Sequence, residues 1–166
     1  LVPKSQSDAY AKHIEDITVG EKSALAPLVM GSAATRYSGT QNIETTLDSS
    51  LGTYVLNDLT RGNGIVTYNS ANTNTMPSTH FQDSDNVWND GNYAAGHVSD
   101  DNAALDAQWG AMKTFDFWKN TFNRNSFDDA NGQIRSYVHY NSTNNGATGW
   151  DNAQWTGSVM RYGDGD

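Results

Sequence analysis

Cysteine is absent from the 166 residues, which excludes a disulfide framework, a thiolate zinc site and a thiol nucleophile. Positive charge is scarce: 10 Lys and Arg stand against 19 Asp and Glu, a formal net charge of −9. A partner recognised through its phosphates is therefore excluded. Long apolar runs are missing too, since nothing approaches the roughly 20 residues that cross a bilayer as a helix. With 36% hydrophobic residues, no membrane partner is expected and the chain reads as soluble. No basic segment followed by an apolar stretch opens the sequence, so any export signal is expected to have been removed. A cysteine-free composition rich in Asn and Gly nevertheless suits a secreted, extracellular bacterial protein.

What is present suffices for one core. Five Trp, 8 Tyr and 5 Phe supply bulky apolar material, and a domain of about 150 residues buries roughly 70% of its unfolded surface. Residues 1–34 read as an N-terminal arm. Tyr10, Ile14 and Ile17 recur near helical period between Asp8 and Gly20, and Gly31-Ser32-Ala33-Ala34 suits a linker or processing site. From Thr35 the pattern turns to short β-rich runs between turn signals: Ile43 to Leu47, Tyr54 to Leu56 and Ile65 to Tyr68. Asn69 to Asn74 reads as a polar loop. One strong helix follows, capped by Asp100-Asp101-Asn102 and carrying Leu105, Trp109, Met112, Phe115 and Phe122 at three-to-four spacing until Asn123-Arg124-Asn125. Its aromatic face is expected in the core, with Asp101 and Asp106 near the start and Lys119 and Arg124 near the end agreeing with the macrodipole. Ile134 to Tyr140 alternates as a strand, Asn141 to Asp151 reads as a long loop, and Ala153 to Met160 as a last short run. The fold class is α+β: a predominantly antiparallel sheet lobe with one long helix. The Tyr162-Gly163-Asp164-Gly165-Asp166 close is a turn signal with nothing after it, which predicts a piece of a longer chain.

The chemistry-bearing motifs are few. His13, His80, His97 and His139 stand apart, with no His-Glu-x-x-His and no pair at metal-ligand spacing. There is no Gly-x-Ser-x-Gly elbow, P-loop or dinucleotide fingerprint, and Asn141-Ser142-Thr143 is a formal glycosylation sequon read as a polar loop. The best local metal signal is Asp83-Ser84-Asp85-Asn86-Val87. Two carboxylates one residue apart in a turn, with the Val87 carbonyl, converge on one hard cation such as calcium; a solvated turn is the plain alternative. Asn152-Ala153-Gln154-Trp155 places an amide and an indole beside a short apolar run, as an edge strand that pairs with an extended peptide would offer. An ordinary edge strand with one packed Trp fits the same residues.

Several blocks, taken in order, resemble the N-terminal lobe of the thermolysin family of zinc metalloendopeptidases. They are Tyr54-Val55-Leu56-Asn57-Asp58-Leu59-Thr60-Arg61-Gly62, Ile65 to Tyr68, Asp83 to Asn86, Asn123 to Asp128, Val138-His139-Tyr140, and Asn152 to Trp155 followed by Met160 to Asp166. The resemblance runs from about Thr35 to Asp166 and implies a zincin-like N-terminal domain, residues 35–166. In that family a His-Glu-x-x-His helix follows the Tyr-Gly-Asp-Gly-Asp turn, so zinc, the general-base Glu and the catalytic C-terminal lobe are implied beyond this chain, which alone would be inert. Asn152, Ala153 and Trp155 match the strand that binds a peptide or protein substrate. Asp83, Asp85 and the Val87 carbonyl match a calcium site of some members. Gln154 stands where an aromatic is common and the preceding loop is long, so Asn145 is a second candidate for the Asn152 role. Residues 1–31 have no counterpart in the mature lobe and are implied to be a propeptide remnant or an extension. The alternatives are a calcium-dependent carbohydrate- or peptide-binding β module without catalysis, and a free-standing inhibitor or adaptor.

Overall fold

The computed structural model describes residues 28–89, 102–143 and 149–165. The expected helix between Asp8 and Gly20, His13, His97, Asn145 and Asp166 lie outside them. The described chain forms strands β1 (Leu28–Ala34), β2 (Thr40–Asp48), β3 (Thr53–Val55), β4 (Asn57–Asp58), β5 (Ile65–Thr73), β6 (Gln82–Asp83) and β7 (Val87–Trp88), helix α1 (Asn102–Phe122), then β8 (Ile134–Tyr140), β9 (Ala153–Trp155) and β10 (Met160–Tyr162). Two five-stranded sheets result, in the orders β6-β3-β2-β1-β7 and β4-β5-β8-β10-β9. The fold is α+β with one long helix, and most strand pairings are antiparallel. The parallel pairings are β1 with β7, β5 with β8 and β8 with β10. The second sheet is thus mixed, because α1 lies in the connection between β5 and β8 and lets the chain return in the same direction.

Both sheets and α1 share one core. Ile43 and Trp88 from the first sheet meet Ile65 and Val138 from the second, and Leu56 and Phe81 fill the space between strands. Ala104, Leu105, Met112 and Phe115 close it from α1. These helical residues sit at three-to-four spacing, so one stripe faces the sheets.

Four local readings of the sequence are corrected by the fold. Gly31 to Ala34 is not a linker but the second half of β1, held against β2 and β7. A Cβ on Gly31 would lie 2.4 Å from the Asn86 Oδ1 atom, so glycine is what lets the Asn86 turn close over the strand. Asn69 to Asn74 is not a free loop either: β5 continues to Thr73 through an irregularity in which Ala71 and Asn72 take left-handed backbone angles. The aromatic face of α1 is only partly core. Phe117, Trp118 and Phe122 are exposed, Phe117 edge-on to the other two rings and those two tilted against each other, while the apolar stripe takes in a glutamine instead. Gln108 is fully buried because both ends of its amide are satisfied, by the Thr67 hydroxyl at 2.8 Å and the Ile65 carbonyl at 3.1 Å. Finally, Asp101 lies outside the described residues, among which the first turn of α1 holds no acidic side chain, and Asp106 accepts the Arg36 backbone N–H at 2.8 Å.

An ion network fixes the β4–β5 turn to α1. The Arg61 guanidinium donates to the fully buried Asp58 at 2.6 Å and grips Asp116 of α1 through two bonds of 2.8 and 2.9 Å. Asp58 also accepts from the Thr60 N–H and hydroxyl. Arg61 is held firmly charged, chiefly by its bonds to Asp116.

Candidate functional site

Strand β9 is the outer strand of the second sheet, and all three of its residues are exposed. Its hydrogen-bonding phase follows from the bonds that flank it. The Gly163 N–H donates to the Asn152 carbonyl at 2.9 Å, and the Thr156 N–H donates to the Val159 carbonyl at 3.0 Å. Residues 152, 154 and 156 therefore turn their backbone groups toward β10. Ala153 and Trp155 turn theirs outward, to an edge that no strand among the described residues pairs. The Ala153 N–H is covered by the Asn152 side chain, whose Oδ1 accepts it at 2.8 Å. The Ala153 carbonyl and both backbone groups of Trp155 face the edge as a template for an incoming strand.

The approach to this edge is rigidly built. The Trp150 carbonyl accepts from Asn152 at 3.0 Å and from Gly165 at 3.3 Å. A Cβ on Gly163 would lie 1.7 Å from that same carbonyl, so no other residue fits there. The Trp150 ring meets Tyr140 edge-on at 5.3 Å, and Arg161 covers Tyr140 from above while donating to its hydroxyl at 2.6 Å. At the other end of β9, the Trp155 ring meets Phe127 edge-on at 4.9 Å.

The second candidate site is the turn between β6 and β7. Asp83 is fully buried, and its Oδ1 accepts the N–H groups of Asp85 at 3.0 Å and Asn86 at 2.5 Å. Its Oδ2 is buried with no hydrogen-bond partner. Burial pushes the Asp83 carboxyl above its usual range, against the pull of the two backbone donors. Asp85 is exposed and accepts the Val87 N–H at 3.0 Å. Asn86, in the left-handed region at φ 68°, anchors the turn: its Oδ1 accepts from Thr45 and from the Trp88 indole, both at 2.9 Å. An orphaned buried carboxylate oxygen beside an exposed carboxylate suits a hard cation, with water completing the six to eight oxygens calcium takes. Among the described residues no cluster of three or more His, Asp or Glu converges on one point.

The structure also joins two residues that the sequence left apart. His139, which stands alone in the sequence, and Asp164 of the closing turn meet at 2.6 Å between Nδ1 and Oδ1. They line a cleft of about 520 Å³ with Arg36, Tyr37, Asp106 and Tyr162, on the face of the sheet near the start of α1. No local motif signals this pair, because the parallel pairing of β8 and β10 brings together residues 25 apart in sequence. His80 is half-buried against Tyr68, and burial lowers its imidazole below the usual range.

Two five-stranded sheets with one long helix between β7 and β8, and an outer strand directly after Asn152, define an α+β lobe. Residues 30–166 match the family described as thermolysin metallopeptidase, catalytic domain, and the chain belongs to that family. It is 46% identical over 127 residues to bacillolysin from Brevibacillus brevis and, over the same length, to bacillolysin from Bacillus cereus. It is 42% identical over 124 residues to thermolysin from Alicyclobacillus acidocaldarius. These alignments cover 75 to 76% of this chain and 20% of each relative, so the chain spans about a fifth of the length of the curated relatives it matches. Among solved structures, the precursor of protealysin from Serratia proteamaculans is similar at 26% identity and a TM-score of 0.42, over 61% of this chain and 27% of that one.

Proposed function

We propose that this chain is the substrate-cleft lobe of a secreted zinc metalloendopeptidase that hydrolyses internal peptide bonds. The observation that carries the reading is the outer edge of β9, unpaired among the described residues, where Ala153 and Trp155 turn their backbone groups outward directly after Asn152. An extended substrate adds to this edge antiparallel to β9, and main-chain bonds supply affinity without regard to side chain. The Asn152 amide, now folded onto the Ala153 N–H, exchanges that bond for one to the peptide. In this reading its partner is the residue after the cleaved bond. A zinc ion held by a His-Glu-x-x-His helix in the C-terminal lobe, beyond these residues, would polarise the scissile carbonyl and activate water. This lobe alone binds and orients substrate and does not cleave it. Residues 35–166, together with β1, form the lobe, and the preceding residues are a propeptide remnant or extension. Asp83, Asp85 and the Val87 carbonyl hold calcium, which ties the β6–β7 turn rather than taking part in the chemistry.

The test is Asn152→Ala in the complete protein, read as kcat/KM on a peptide and as bound zinc. Loss of one clamping contact predicts roughly a tenfold fall with zinc content unchanged. Full activity, or a parallel loss of zinc, would remove Asn152 from this role. Affinity of the chain for a polysaccharide with no peptide cleavage by the complete protein would replace the reading with a glycan-binding module.

A further inference from the structure

We propose that Phe127 is a positioning residue for the peptide edge: it fixes the Trp155 indole and thereby sets the preference for substrate residues on the N-terminal side of the cleaved bond. This deepens the reading of β9 as the substrate strand and rests on it.

Trp155 closes β9 with its backbone turned to the edge that no described strand pairs, and the residue is 42% exposed. Phe127 is the ring packed against that indole, at a centroid distance of 4.9 Å and an interplanar angle of 64°. Phe127 is itself 38% exposed, yet it sits on a tightly tied loop. Ser126 is buried in the left-handed region at φ 65°, and its hydroxyl donates to the Gly132 carbonyl at 2.7 Å. Asp128 collects the N–H groups of Ala130 and Gly132, both at 2.9 Å, while Asp129 accepts that of Asn125 at 2.9 Å. Arg124 clamps the carbonyls of Ser126 and Phe127 from the other side and stacks over Trp118. A loop so constrained holds one partly exposed apolar ring in place, and that ring meets the indole at the end of the edge strand.

The direction of the effect follows from strand polarity. β9 runs from Ala153 to Trp155, so a peptide added antiparallel places its C-terminal part beside Asn152 and its N-terminal part beside Trp155. A freed indole would therefore disturb only substrates long enough to reach it.

The experiment uses the complete protein and two probes: a blocked substrate with one residue before the cleaved bond, and the same substrate extended by three apolar residues on its N-terminal side. Loss of an edge-on aromatic pair is expected to lower kcat/KM for the extended probe roughly two- to tenfold, with the short probe within twofold of wild type. Phe127→Ala and Phe127→Leu should both show this selective loss, and Phe127→Tyr, which keeps the ring, should restore discrimination. Equal losses on both probes, or none on either, overturn the proposal. A wild-type protein that cleaves neither probe instead overturns the edge-strand reading beneath it.

Discussion

Replacing Asp83 by Asn in the complete protein separates the two things its carboxylate does. Oδ1 accepts two backbone N–H bonds that shape the turn, and an amide oxygen continues to accept them. Oδ2 is buried without a partner, and the amide nitrogen that replaces it cannot ligate a cation. In chelator, weaker bonds to a neutral acceptor are offset by relief of an uncompensated buried charge, so the substitution is expected to change stability by less than about 1 kcal/mol. In calcium at a hundredfold excess over Kd, the parent gains about 2.7 kcal/mol that the variant does not. At roughly 2–4 °C per kcal/mol for a domain of this size, the midpoints should differ by about 5–10 °C in calcium and nearly coincide in chelator. Differential scanning calorimetry in the two buffers measures this. Equal losses in both would show that Asp83 is only a turn-forming carboxylate, and a parent indifferent to calcium would remove the site altogether.

Other expectations follow from single contacts. Arg61→Met leaves the fully buried Asp58 without its cation and should cost about 3–5 kcal/mol in chemical denaturation; adding Asp58→Asn should recover part of that loss, and an additive double variant would contradict the pairing. Burial lowers the His80 imidazole below its ordinary value, so as pH drops through 6.5 the unfolded state binds more protons than the fold and stability falls. His80→Phe, which keeps a ring against Tyr68, should show a smaller fall in thermal midpoint across that window, and an identical fall would assign the pH dependence elsewhere.

The sequence carried most of the architecture because the strong signals are local. The periodicity of α1 marks its buried stripe, and the alternation of Ile134 to Tyr140 marks β8. What it misread was decided by distant partners. Gly31 to Ala34 looks like a linker until Asn86 closes over Gly31, and Gln108 looks polar until Thr67 and Ile65 satisfy its amide. Phe117, Trp118 and Phe122 continue the helical period but stay exposed, packed on one another rather than in the core. The Asp83 turn and the segment after Asn152 are visible as motifs, since each is contiguous. The pairing of His139 with Asp164 and of Phe127 with Trp155 is not, because both depend on how separate strands and loops are brought together.

The central claim is that the outward-facing backbone of β9 pairs with a substrate backbone. It is tested most directly by measuring cleavage, by the complete protein, of a peptide N-methylated at one amide at a time. Methylation of the amide placed opposite the Ala153 carbonyl should lower kcat/KM roughly three- to tenfold, the worth of one hydrogen bond. Methylation of the adjacent amide, which points away from the edge, should leave it nearly unchanged. Equal sensitivity at both amides, or none at either, would mean that β9 is not the strand that holds the substrate.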